Sequence, residues 1–389
     1  MSFLSARTAA PLGLIWLSGL SLRVTILAVP PVLPMLRAEL GLSGTEVGVL
    51  GSLPVLLFAA AAVPGSLLVY RLGILATLVG GFSVVAAASA LRGLDGTAGL
   101  FVATALMGSG IAVAQPAMPA LIQRWLPQRV SFVTAVYTNG ILLGTILPVW
   151  LTIPLVLPLV DGSWRGALVV WSLPVVVTAA LMAIFARRSG AGVRMAERGQ
   201  WWPDWRNGLY WRLGLLFGSS NGMYFGINTF VPDHLTSNGH PELIGATLTA
   251  FNLGALPVSF LMLRFAQRVE RRALPYFVVG TLIVLGVLGL VNSAGPMTVV
   301  WATVLALCQG AALMMGLALP PLLSPPAEVP RTTAAMFTIS YTTAVVTAVL
   351  GGIAWDLSGA TVFAFVPIGF GGVVMIVFAA ILRAKRELR

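Results

Sequence analysis

From Thr8 to Leu36 the chain runs through an apolar stretch long enough to cross a lipid bilayer, and comparable stretches recur to its end. A crossing needs about 20 mostly apolar residues. Hydrocarbon offers no partner to backbone N–H and C=O groups, so only helices and closed barrels can span it. These runs are too long for barrel strands, so each reads as a helix. Cutting at charges and turn residues gives twelve spans, at 10–35, 45–70, 72–91, 97–123, 130–157, 164–186, 208–232, 242–265, 273–292, 297–322, 332–354 and 360–382. Only 9% of residues are charged and 58% are apolar, whereas a soluble domain carries about 25% charged residues. The sequence predicts an all-α polytopic membrane protein whose surroundings are lipid.

The formal net charge of +11 would suit a nucleic-acid partner if the charges formed one patch. They punctuate the apolar runs instead, so no nucleic-acid partner is expected. Nineteen of the 23 Lys and Arg fall at the N-terminus, in the loops after even-numbered spans, and at the C-terminus. Arg37, Arg92 and Arg165 fall on the other side. Basic residues are retained on the cytoplasmic side, so both termini are expected there. The N-terminal run shows no small-residue cleavage site and reads as a retained first helix rather than a signal peptide. The single cysteine, Cys308, excludes an internal disulfide and a CxxC metal site.

The longest polar stretch follows the sixth span. It divides the chain into a six-helix half at 1–187, a cytoplasmic linker at 188–207 and a second six-helix half at 208–389. In the linker, Trp201, Trp202 and Trp205 are interleaved with arginines. That pattern suits either an amphipathic interfacial segment or an ordinary linker whose indoles lie among the headgroups. In the fifth span Gly140, Gly144 and Pro148 recur at four-residue spacing, and small residues on one face permit close helix contact. Arg71 follows the second span. After the eighth come Gln267-Arg268-Val269-Glu270-Arg271-Arg272.

Six plus six helices around a basic central loop resemble the major facilitator superfamily. The Gln267–Arg272 run is similar to that superfamily's Asp-Arg-x-Gly-Arg-Arg loop signature. The resemblance implies two pseudo-symmetric halves with substrate bound near the midplane, and a gating role for Arg71, Arg268, Arg271 and Arg272. Three stretches narrow it further. The first is Leu22-Arg23 with Val29-Pro30-Pro31-Val32-Leu33-Pro34. The second is Gly108-Ser109-Gly110-Ile111 with Gln115 and Met118-Pro119-Ala120. The third is Phe217-Gly218, Asn221-Gly222, Tyr224 and Pro232. Together they resemble the bacterial cyanate and 2-nitroimidazole transporter family. That resemblance implies a secondary transporter in the bacterial cytoplasmic (inner) membrane. It would act as a monomer on a small anion or a weak-acid or polar solute by alternating access. The alternative within the superfamily is multidrug efflux.

Arg23 is the remaining basic residue and the one placed at mid-bilayer depth. A centrally placed Arg costs roughly 2.5–3.5 kcal/mol on insertion scales and usually faces a partner or a water-filled cavity. Its planar fork of donors can hold a small anion through paired, charge-assisted hydrogen bonds. The structural alternative is an Arg that bonds helix carbonyls. Gln115 lies beside Pro116 and Pro119, which bend the fourth span and free carbonyls. Asn139 is a candidate in the fifth span. Tyr137, two residues earlier, points in a nearly opposite direction. Asn221, Tyr224 and Asn228 are spaced to share one face of the seventh span. That face is expected to oppose Arg23. Asn252, Gln309 and Tyr341 complete the candidate substrate-binding set, and Ser340 lies beside them. For each the alternative is an interhelical hydrogen bond. His234 and His240 are placed in the outer loop after the seventh span, where they make a poor metal site. No metal or cofactor is expected, and no nucleophile–base pair marks an enzyme. Every Asp and Glu falls near one membrane surface or the other. A relay through intramembrane carboxylates is therefore disfavoured, leaving anion exchange, facilitated diffusion or a proton carried by the substrate.

Overall fold

A computed structural model of the chain describes residues 6–42, 44–94, 96–188, 201–269, 272–293 and 295–385. Helices, turns and irregular segments make up all of it, with no strand among the described residues. Two compact units emerge: Met1–Pro203 with Ser324–Ala334, and Asp204–Leu323 with Ala335–Arg389. The first unit holds α1 (Ala6–Leu27), α2 (Leu33–Leu40), α3 (Gly44–Leu72), α4 (Ile74–Leu91), α5 (Gly96–Trp125), α6 (Val130–Leu151), α7 (Leu157–Leu159) and α8 (Trp164–Arg188). The second holds α9 (Gly208–Ser237), α10 (Ile244–Leu253), α11 (Ala255–Val269), α12 (Ala273–Asn292), α13 (Met297–Leu323), most of α14 (Val329–Ser358) and α15 (Val366–Lys385).

Among the described residues, 11 stretches are long and apolar enough to cross a membrane. The twelfth expected crossing, α9, has the length at 30 residues but interrupts its apolar run with Asn221, Tyr224, Asn228 and His234. Several expected spans are broken, and prolines explain the breaks. Instead of continuing to residue 35, α1 stops at Leu27, ahead of Pro30 and Pro31, and a 3-10 turn leads into α2. The fifth span loosens into a π-helical turn over Thr152–Val156, where Pro154 has no N–H to donate. The eighth span is split into α10 and α11, and Pro257 just after the split removes another donor.

Large apolar side chains such as Leu56, Val102, Phe260, Leu285 and Phe370 are exposed on the outer faces of both units. On a soluble protein such a surface would drive association; here it is the surface a bilayer solvates. Inside the first unit, α1 packs between α6 and α8, and α5 against α3 and α4. Inside the second, α13 is flanked by α9, α10, α11 and α12.

The closest approach is between α1 and α6. A Cβ added to Gly140 would fall on the carbonyl oxygen of Trp16, and one added to Gly19 on that of Tyr137. One turn further, a Cβ on Gly144 would lie 2.9 Å from the Leu20 Cα. The backbones therefore touch directly, as small-residue seams between membrane helices do. Trp16 Nε1 then donates to Asn139 Oδ1 across the same seam at 2.9 Å. On the opposite side of α1, the Ser21 and Thr178 hydroxyls meet at 2.7 Å and tie it to α8.

Replacing Gly140 with Ala should separate the two backbones and destabilise the chain by about 1–3 kcal/mol, the usual cost of overpacking. Gly13→Ala is the control on α1, because its Cβ would meet no atom within 4 Å. Thermal unfolding in detergent should fall for Gly140→Ala and hold for Gly13→Ala; equal midpoints would refute the seam.

Candidate functional site

Arg23 lies on α1, three residues beyond the glycine seam, with its side chain half-buried. Its guanidinium carbon stands 5.4 Å from the ring centroid of Phe58, a buried residue of α3. A cation over an aromatic face at this range is attracted by the ring quadrupole, and guanidinium tolerates the contact because it is weakly hydrated.

The other first-unit candidates are more deeply buried. Gln115 is enclosed within α5 among Pro116, Met118 and Pro119. Asn139 is buried on α6 with its carbonyl oxygen taken by Trp16. That bond is the interhelical alternative, and it gives Asn139 a part in the seam.

The second unit gathers the polar residues of α9 onto three neighbours. Ser220 donates to Gln309 Oε1 on α13 at 2.9 Å. Asn221 Nδ2 donates to Ser340 Oγ on α14 at 2.8 Å. Asn252 Nδ2 on α10 donates to Asn228 Oδ1 at 2.9 Å and also to the Leu248 carbonyl. Tyr224 is half-buried and stacks on Phe251, with ring centroids 6.1 Å apart. Tyr341 is buried and stacks on Phe337 at 5.8 Å. Asn221 and Asn228 thus serve different partner helices, and the buried Asn221 and Gln309 are engaged in interhelical bonds. Tyr224, Asn228 and Asn252 form a half-buried polar patch where α9 meets α10.

Of the gating candidates, Arg71 and Arg272 are exposed. The Arg268 side chain and the whole of Arg271 lie outside the described residues. So do the linker residues 189–200, while the aromatic end of the linker is described. There the Trp201 carbonyl accepts the hydroxyl of buried Ser66 on α3 at 2.9 Å, and Trp211 Nε1 donates to the Trp205 carbonyl at 2.8 Å.

Two expectations need correction. His234 is not in a loop. It lies in the last turns of α9, buried, with Nδ1 3.0 Å from Thr361 Oγ1 and its ring against Phe365. The helix runs five residues past its expected end at 232, because Pro232 interrupts hydropathy without ending the helix. Arg23 is also not the one arginine drawn into the bundle. Arg92, expected at the outer surface, is 3% exposed. Its Nη1 donates to the Thr25 carbonyl at 2.7 Å and its Nε to Thr104 Oγ1 at 3.1 Å. Burial pushes the guanidinium down to about 10, so it stays charged at neutral pH. No sequence signal marked it, since its partners are 67 and 12 residues away.

No Asp or Glu among the described residues is buried. Glu39 is exposed and accepts from Trp164 Nε1 at 2.6 Å and from Arg165 Nη1 at 2.5 Å. These hydrogen bonds, Trp164 first, hold its carboxyl below the ordinary value. No group of three or more metal-ligating side chains occurs among the described residues.

Comparison with known proteins places this architecture. The cyanate transport protein CynX of Escherichia coli K12 is 26% identical over 313 residues, covering 78% of each chain. The 2-nitroimidazole transporter of the same organism is 26% identical over 301 residues, covering 76% of this chain and 75% of that one. Among solved structures, the human organic anion transporter MFSD10 superposes with a TM-score of 0.75 over 97% of this chain and 100% of that one. At 14% identity that likeness concerns the fold alone. The family model of the Major Facilitator Superfamily matches residues 15–240. With more than half its length under that model and the same fold throughout, this multi-pass chain belongs to the Major Facilitator Superfamily.

Proposed function

We propose that the chain is a secondary transporter for a small anion or weak-acid solute of cyanate-like size, and that Arg23 binds the anion. The carrying observation is a half-buried guanidinium on a membrane-crossing helix, with its central carbon 5.4 Å from the ring centroid of Phe58. The two relatives named for cyanate and 2-nitroimidazole support small, polar cargo. In the second unit, Tyr224, Asn228 and Asn252 are the proposed neutral hydrogen-bonding groups for the solute. The distribution of Lys and Arg supports a bacterial inner-membrane location with both termini cytoplasmic. It supports equally a division into halves at 1–187 and 208–389. The chain works as a monomer by alternating access, with Arg71, Arg268, Arg271 and Arg272 at the cytoplasmic gate.

The lack of a buried carboxylate among the described residues supports exchange, or a proton that travels on the substrate. His234 is buried, and its ring nitrogens face Thr361 and Asn238. Such neutral partners suit a packing role.

Uptake of cyanate, nitrite and formate into proteoliposomes tests the binding assignment. Arg23→Lys keeps the charge but loses the planar fork. A hydrogen bond to a charged group contributes about 1.5–3 kcal/mol, so the loss should be about 10–100-fold. Near-normal uptake by Arg23→Ala at equal expression would end this assignment. Tyr224→Phe and Asn252→Ala should weaken apparent affinity by about tenfold or less. Asn221→Ala should lower thermal stability instead, by about 1 kcal/mol, and leave affinity close to that of the parent.

A second experiment concerns coupling. Neutralising any single Asp or Glu, or replacing His234 with Gln, should leave substrate exchange largely intact. A variant that kept exchange but lost pH-driven accumulation would identify a protein-borne proton site and overturn the coupling scheme.

A further inference from the structure

Arg92 is more deeply buried than Arg23, and the transport scheme leaves it without a task. Its two hydrogen bonds join three helices. It sits at the C-terminal end of α4, its Nε donates to Thr104 on α5, and its Nη1 donates to the carbonyl of Thr25 on α1. That carbonyl is one of the last four of α1, which ends at Leu27. The last four carbonyls of a helix have no acceptor role within it. Pro30 and Pro31 prevent the chain from continuing to supply donors. In this helix the Ala28 N–H takes the Val24 oxygen at 3.1 Å and the Val29 N–H reaches the Ile26 oxygen at 3.5 Å. The Thr25 oxygen is taken from outside, by Arg92. A basic side chain on terminal carbonyls is a recognised way to finish a helix. Within a membrane bundle it matters more, because an unmet carbonyl has little water to turn to.

Arg23 is two residues before Thr25 on this same closing turn, and its guanidinium must also reach the ring of Phe58 on α3. If the turn frayed, the Arg23 Cα would move and the aim of its fork with it.

We propose that Arg92 is a positioning residue for anion binding. It closes the last turn of α1 against α4 and α5, and so fixes the direction in which Arg23 presents its donors. This rests on the reading of Arg23 as the anion-binding group.

The test is a double-mutant cycle on the full-length chain. Cyanate, nitrite and formate are the probes, read as exchange in proteoliposomes and as anion-dependent shifts in thermal unfolding. Arg92→Lys keeps the charge while losing the two-way fork. Thr104→Val removes one acceptor at nearly constant volume and serves if Arg92→Lys fails to fold. Each should raise the apparent KM about three- to tenfold and leave the maximal rate within about twofold. In an Arg23→Lys background the same changes should add less than about twofold, because residues acting through one another are not additive. A parent-like KM in both folded variants would overturn the proposal. So would full multiplication of the two effects, which would make Arg92 a general support of the bundle. Arg23→Ala separates this from the underlying reading. If that variant binds all three anions as the parent does, or if the parent binds none, the anion site itself is wrong and the positioning role goes with it. If Arg23→Ala abolishes binding while Arg92→Lys and Thr104→Val are silent, only the positioning role fails.

Discussion

The contact between α1 and α6 is made by peptide groups rather than side chains, and much of the first unit follows from it. Gly19, Gly140 and Gly144 leave no room for a Cβ between the two helices. Apolar side chains gain little by leaving lipid for one another, so close van der Waals approach must supply the attraction that water supplies elsewhere. Once the seam is set, the rotation of α1 about its axis is set too. Trp16 must meet Asn139, Ser21 must meet Thr178 on α8, and Arg23 is turned toward Phe58. A sequence that lost the glycines would keep its twelve hydrophobic runs and lose the orientation of Arg23.

Hydrophobic length was the most legible property of the chain. The bilayer imposes one dimension on every crossing, so counting apolar residues located most helix ends within a few positions. The errors occurred where backbone chemistry overrides hydropathy. Pro30 and Pro31 ended α1 early although the run stayed apolar, while Pro232 failed to end α9 although the run turned polar. Gly140 and Gly144 were readable as a close-contact face because their spacing is local. The partners of Asn139, Asn221 and Gln309 were not readable, since each lies on another helix and a polar residue in a span signals only that some partner exists.

Burial of charge was the least legible property. Hydropathy assigns depth by position along a run, so Arg92, just past the end of α4, was placed in the outer loop. The helix ends at different heights from its neighbours, and a residue beyond one helix lies beside the last turn of another. His234 went astray for the mirror reason: the sequence ended α9 too soon. For Arg92 the missing information is the offset between helices, which no single run encodes; for His234 it is that α9 continues through Pro232.

Arg92 on the Thr25 carbonyl also changes the electrostatics of the end of α1. Aligned peptide dipoles leave about half a negative charge at a helix C-terminus, and an anion held by Arg23 would stand close to it. An isolated helix of this kind would repel the ion it is asked to hold. A full positive charge placed on those carbonyls more than cancels the dipole. The field at the end of α1 then has the sign that the proposed anion-binding role of Arg23 requires.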